Sequence, residues 1–188
     1  MAWGKTMARL HELSRSFHER PGFQRPEWWA FTIPGCRAAD VALDPHISEL
    51  RQRLLAWLRS MQPEPLHYAM VHGDFERTNF LIENDGIRLF DFDDCCRHRF
   101  VWDIACALWV FRDASFQERK RFLGWFLDGY ATARQPDLMR LEALSDLIRL
   151  RSIAPLLHRC RNPLRFAGPA DRAWVEHTRE WLRSNWRW

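Results

Sequence analysis

The chain has 188 residues, enough for one domain with a sizeable core and too few for two. Hydrophobic residues make up 47% and charged residues 28%, a globular balance that argues against disorder and against a fibrous protein. The net charge of +4 is carried almost wholly by arginine, since Lys5 and Lys120 are the only lysines; it permits anionic ligands without pointing to nucleic acid. Eleven Trp and thirteen Phe predict an aromatic-rich interior.

The N-terminus has no apolar core of signal-peptide length, and the longest apolar run, Phe100 to Phe111, contains Asp103 and is too short to cross a bilayer. Five irregularly spaced cysteines (Cys36, Cys95, Cys96, Cys106, Cys160) fit free thiols in a reducing cytoplasm better than a disulfide framework.

In chain order, Trp3, Met7, Leu10, Leu13 and Phe17 recur at helical spacing, and Pro21-Gly22 ends that helix. Residues 21–45 are rich in Pro and aromatics without a period (Trp28, Trp29, Phe31, Pro34), which predicts an ordered loop. Asp44-Pro45 starts the next helix, the carboxylate as N-cap and Pro at the first position. Its buried face reads Ile47, Leu50, Leu54, Trp57, Leu58, and Pro63 and Pro65 stop it. His67–Val71 reads as extended. Phe80–Ile82 and Ile87–Phe90 flank Glu-Asn-Asp-Gly, a hairpin signal.

Val101–Phe111 is apolar on all sides and predicts a buried helix. Ser115-Phe-Gln-Glu118 is a capping box opening a helix with Phe122, Trp125, Phe126 and Tyr130. Leu138, Leu141, Leu144, Leu147 and Leu150 mark another helix, which Pro155 should kink or end. After Gly168-Pro169 a last helix places Trp174, Thr178, Trp181 and Leu182 on one side. The expected fold is α+β, mostly α-helical, with a small central β-hairpin.

The chemistry concentrates in residues 71–94. Phosphoryl transfer needs a carboxylate to orient or deprotonate the acceptor hydroxyl and oxygen ligands to hold magnesium against the phosphates. Magnesium takes one or two carboxylates plus phosphate oxygens and water. Asp74 in a tight loop, Asn79 at its end and Asp91 after the hairpin suit these needs, because the hairpin returns Asp91 towards Asn79. Gly73 lets the backbone turn.

His72-Gly73-Asp74-(four residues)-Asn79, followed by Leu89-Phe90-Asp91-Phe92-Asp93-Asp94, resembles the catalytic core of the aminoglycoside phosphotransferase and choline-kinase-like family. That family has the protein-kinase-like fold, and the His-x-Asp-(x)4-Asn spacing is that of the protein-kinase catalytic loop. The resemblance implies Asp74 as catalytic base, with His72, Asn79 and Asp91 around the cofactor, His72 holding the loop by hydrogen bonds. Asn79 and Asp91 become magnesium ligands, Asp93 an outer-shell or second-metal group, and Asp103 the buried carboxylate bracing the loop. It implies Mg2+ and ATP as cofactors, a small hydroxylated substrate and a nucleotide as partners, and neither nucleic acid nor membrane. The likeness extends weakly to Gly4–Leu13 and Phe126–Tyr130.

Whole members of that family place a nucleotide-binding lobe, with a glycine-rich loop and a phosphate-binding Lys, before the first helix seen here. Residues 1–188 contain no glycine-rich loop, and neither lysine sits on an expected strand. The expectation is one domain, 1–188, the C-terminal helical lobe with the nucleotide-binding lobe absent, and self-association through the apolar face so opened. The rival is a non-catalytic binding module or an inactive gene fragment. Asp94 and Asp128 are candidates to meet a cationic acceptor. Cys95-Cys96-Arg97-His98 has no second pair at zinc spacing and reads as packing thiols. The Arg- and Trp-rich C-terminus reads as an amphipathic helix rather than a nucleic-acid platform.

Overall fold

A computed structural model describes residues 1–28, 44–83, 86–137, 141–184 and 186–188. Six helices and four short strands follow in chain order among them: α1 (Ala2–Ser16), α2 (Pro45–Ser60), β1 (Tyr68–Val71), β2 (Phe80–Glu83), β3 (Gly86–Leu89), β4 (Cys96–Arg99), α3 (Phe100–Trp109), α4 (Phe116–Ala131), α5 (Leu144–Arg161) and α6 (Pro169–Arg183). The fold is α+β and mostly helical, with a small hairpin at its centre, as expected. Cys36, most of the 21–45 loop, the Asn84-Asp85 turn and Leu138 lie outside the described residues.

Local signals set several boundaries. The Asp44 carboxylate accepts the Ile47 backbone N–H at 3.1 Å, and Pro45 occupies the first turn of α2. At α4 both halves of the capping box form: the Glu118 N–H reaches Ser115 Oγ at 3.3 Å, and the Ser115 N–H reaches Glu118 Oε2 at 2.9 Å. The hairpin pairs Phe80 with Leu89 and Glu83 with Gly86.

A second antiparallel pair, β1 with β4, registers Tyr68 with Arg99 and Val71 with Cys96. It clamps the two ends of the 72–95 stretch together. Residues 26–28 run beside β4, where the Arg97 N–H donates to the Pro26 carbonyl at 3.0 Å.

The core lies where α3 is enclosed by α5, α1 and β1. Phe100 through Leu108 are all buried. Helix α1 keeps only the first part of the face its large residues suggest: Met7 is buried and Trp3 and Leu10 pack against the core. Gly4, Met7, Ala8, His11 and Ser14 are buried, whereas Leu13 is 69% and Phe17 60% exposed. Small residues win because α1 lies directly on α4: a Cβ at Gly4 would overlap the Phe126 carbonyl. The helix also stops at Ser16, before Pro21-Gly22.

On α4, Phe126 and Tyr130 are buried but Trp125 is exposed. Pro155 neither ends nor breaks α5, which runs on to Arg161. An interior proline costs about 3 kcal/mol, and the burial of Ile153, Leu156 and Leu157 on either side of it outweighs that. Among the described residues no helix is long and apolar enough to cross a membrane.

Candidate active site

The loop between β1 and β2 carries His72, Gly73, Asp74 and Asn79. Gly73 takes φ +83°, a left-handed conformation that costs a side-chain-bearing residue about 1–2 kcal/mol. A Cβ there would also overlap the Asp94 carbonyl, so the loop and the acidic turn touch backbone to backbone at this point.

The loop rests on Asp103, which is fully buried in the first turn of α3. Its Oδ1 accepts the Gly73 N–H at 2.9 Å, and its Oδ2 accepts the His72 N–H at 2.9 Å and His11 Nε2 at 3.0 Å. Burial alone would raise the Asp103 pKa, but the hydrogen bonds from His11 and the His72 backbone hold it below the usual carboxylate range. Burial outweighs Asp103 at His11 and lowers that imidazole's pKa, so the ring is neutral. His11 then donates from Nε2 and accepts the Tyr130 hydroxyl at Nδ1, 2.8 Å away. A chain of buried hydrogen bonds thus runs from α4 through α1 to the loop.

His72 is also fully buried. Its Nε2 donates to the Phe90 carbonyl at 3.0 Å, and its Nδ1 faces the Asp74 N–H at 3.4 Å, so the ring ties the loop to the end of β3. The Trp102 indole N–H, donating to the Gly73 carbonyl at 3.1 Å, fixes the loop from the other side.

Asp74 has both carboxylate oxygens engaged. Oδ2 accepts Asn79 Nδ2 at 3.0 Å, and Oδ1 pairs with the Arg151 guanidinium from α5. Arg151 also lies 4.0 Å from Glu76 and stacks over Trp109 with its guanidinium carbon 5.2 Å from the ring centroid. Because the Asn79 amide nitrogen is used on Asp74, its carbonyl oxygen is left for another partner.

The Phe90 N–H donates to the Asn79 backbone carbonyl at 3.1 Å, which extends the hairpin ladder and sets Asp91 next in line. Asp91 has φ +63°, the only positive φ among the described non-glycine residues. Strained backbone of this kind is enriched at functional sites. Asp93 and Asp94 follow on the exposed turn, pinned by Arg25, whose guanidinium donates to the Phe92 carbonyl at 2.8 Å. Burial and then the charge of Asp74 raise the Asp94 pKa, with Asp91 and Asp93 contributing, so the four carboxylates share one neighbourhood.

The structure therefore brings Asp74, Asn79, Asp91, Asp93 and Asp94 to one face, with His72 and Asp103 beneath. Asp128 is not among them; it is exposed on α4, the helix packed against α1. Arg151 escaped sequence reasoning because it sits 77 residues from Asp74 within a leucine repeat.

Among the described residues no three His, Cys, Asp or Glu side chains converge as a metal centre. The donor set suits magnesium all the same. One amide oxygen and one carboxylate leave most positions to phosphate oxygens and water, as that ion prefers.

A tight loop bearing Asp and Asn, a hairpin and a following acidic turn, all braced on a buried helix, make up the site. Residues 2–140 match the model of the phosphotransferase enzyme family (APH), and the chain belongs to that family. Curated relatives include the amicoumacin kinase of Bacillus subtilis (strain 168), 28% identical over 165 residues, covering 82% of this chain and 49% of that protein. The homoserine kinase of Parvibaculum lavamentivorans is 27% identical over 161 residues, covering 83% and 50%. The solved structure of amicoumacin kinase hAmiN in complex with AMP-PNP, Ca2+ and Ami superposes with a TM-score of 0.83 at 22% identity, over 96% of this chain and 57% of that one. The two share one fold, mostly helical with a small central hairpin. The chain spans about half the length of the curated relatives it matches.

Proposed function

We propose that these 188 residues are the catalytic lobe of a small-molecule kinase that moves the γ-phosphoryl of ATP to a substrate hydroxyl. The observation that carries this reading is the placement of Asp74, bonded to Asn79, one residue beyond a loop segment anchored on buried Asp103. Family membership and the kinase relatives support it.

In this mechanism Asp74 accepts the hydrogen bond of the acceptor hydroxyl and takes its proton as the oxygen attacks the phosphorus. Asn79 and Asp91 would hold magnesium, and Asp93 would serve as an outer-shell or second-metal group. Magnesium, when bound, neutralises the phosphate oxygens. His72 and Asp103 keep the loop in register. Adenine contacts are assigned to a second lobe, since this chain corresponds to half of its relatives. The same reading assigns self-association to the hairpin, where Leu81 and Ile82 are exposed; light scattering of the purified chain tests it.

The deciding experiment is magnesium-dependent ATP consumption with a panel of hydroxylated amines, sugars and amino acids. Turnover that disappears in Asp74→Ala supports the assignment. Nucleotide binding undetectable at millimolar concentration would overturn activity by this chain alone and favour the binding-module reading.

A further inference from the structure

Arg151 reaches the site from the middle of α5 and meets carboxylates of both the loop and the acidic turn. Its Nη2 pairs with Asp74 Oδ1 and lies 4.0 Å from Glu76. Its charge also acts on Asp94, whose pKa is raised by burial and by Asp74 and lowered by Arg151.

The guanidinium is itself held in place. It lies over the Trp109 ring, with its carbon 5.2 Å from the centroid. That indole donates from Nε1 to Ser152 Oγ at 2.8 Å, and Ser152 Oγ donates to the Ile148 carbonyl at 2.8 Å. Ser152 follows Arg151 in the chain, so α5 fixes the ring that supports its own arginine. Arg112 lies over the same indole at 4.3 Å. A swing of Arg151 away from Asp74 would lose both the ion pair and the ring contact.

Asp74 needs two such holds. The last torsion of an aspartate is broad, so a carboxylate bonded at one oxygen still turns about its Cβ–Cγ bond. Asn79 Nδ2 donates to Asp74 Oδ2 at 3.0 Å and to the Asp74 backbone carbonyl at 2.8 Å, which ties one oxygen to the loop. Arg151 ties the other oxygen to α5, and the turning stops. The Asp74 side chain stays 21% exposed, so its remaining lone pairs are open to an incoming hydroxyl.

We propose that Arg151 is a positioning residue for Asp74, setting the plane of the carboxylate against α5 so that a lone pair faces the acceptor oxygen. The kinetic part of this inference rests on the phosphotransfer reading; the orientation of the carboxylate does not. A misplacement of about 1 Å costs on the order of 10²-fold in rate. Because Arg151 acts through the base, its removal should lower kcat and leave KM alone.

The test uses the full chain and two variants. Arg151→Met keeps an apolar stem against Trp109 and removes the donors, whereas Arg151→Lys restores the charge. The first readout needs no activity. The side-chain amide resonances of Asn79, assigned by their loss in Asn79→Ala, report on the Asp74 oxygen they bond. They should shift in Arg151→Met and shift less in Arg151→Lys. The second readout is magnesium-dependent ATP consumption with the panel named above. There kcat should fall about 10–100-fold in Arg151→Met, with KM for ATP unchanged within about twofold, and Arg151→Lys should recover part of the loss.

A retained thermal transition shows that each variant folds, and if Arg151→Met does not fold, Arg151→Lys carries both readouts. Asn79 resonances that stay in place would overturn the proposal whatever the turnover. Shifted resonances with kcat unchanged, or a loss confined to KM, would overturn it as well. A purely structural arginine would lower the urea midpoint of Arg151→Met while leaving the Asn79 resonances and kcat where they were. A native chain without turnover, whose Asn79 resonances still follow Arg151, would overturn the kinase reading of this chain and support the positioning.

Discussion

Two layers of the same site are built in opposite ways. Beneath the loop, Asp103, His11 and His72 are wholly buried, and Asp103 receives three donors. Above it, Asp91, Asp93 and Asp94 are exposed, and Asp91 is held in a left-handed backbone. The lower layer has almost nothing left to bind, and the upper layer almost nothing bound. The contrast teaches that rigidity and reactivity are assigned to different residues: one set spends its hydrogen bonds on shape so that the other can keep them for ligands.

Removing Asp103 should have the largest effect. Asp103→Ala leaves two backbone N–H groups and the His11 ring without their acceptor, and breaking such a buried cluster costs about 3–5 kcal/mol; urea unfolding measures it. A loss below about 1 kcal/mol would show that the lower layer is not the brace. Asp74→Asn should leave the urea midpoint nearly unchanged while turnover falls on the order of 10²–10⁴-fold, measured by coupled ATP consumption. Comparable loss of stability would erase the distinction between layers.

The third prediction follows from His98, which also belongs to the buried set. Its folded pKa is lowered to about 3, below the ordinary value of about 6.5. Between those two values the unfolded chain binds the extra proton, so stability falls as pH drops below about 6.5, by up to about 1.4 kcal/mol per pH unit from this group. His11, lowered in the same direction by burial, adds to the slope. Denaturant unfolding at successive pH values should show that slope, and His98→Phe should flatten it. The smallest effect has the opposite sign. Asp91→Gly should raise stability by about 0.5–1 kcal/mol by relieving the positive φ, while magnesium-dependent turnover is lost. A destabilised Asp91→Gly would mean that the upper layer carries structure after all.

Much of the site could be read along the sequence, because its members lie within 23 residues and are ordered by one loop and one hairpin. Asp44-Pro45 and Ser115–Glu118 were equally legible, since caps are local devices whose donors and acceptors lie three residues apart. What stayed hidden was set by contacts far away in the chain. Strand β4 reads Cys-Arg-His-Arg, with no alternation to announce it; its partner, β1, makes it a strand. The rest of the inward face of α1 is chosen by α4 and Asp103 rather than by its largest side chains. Arg151 reaches the site from a segment whose own pattern concerns packing. Composition cannot show where a helix will aim one arginine.

The close approach of Gly73 to the Asp94 carbonyl has a further consequence. It leaves no side chain between the loop that carries Asp74 and the turn that carries Asp94. Two backbones in contact cannot be nudged apart by rotamer changes, so the spacing between the two groups behaves as a ruler. Gly73→Ala would change the graduation of that ruler before it changed anything else.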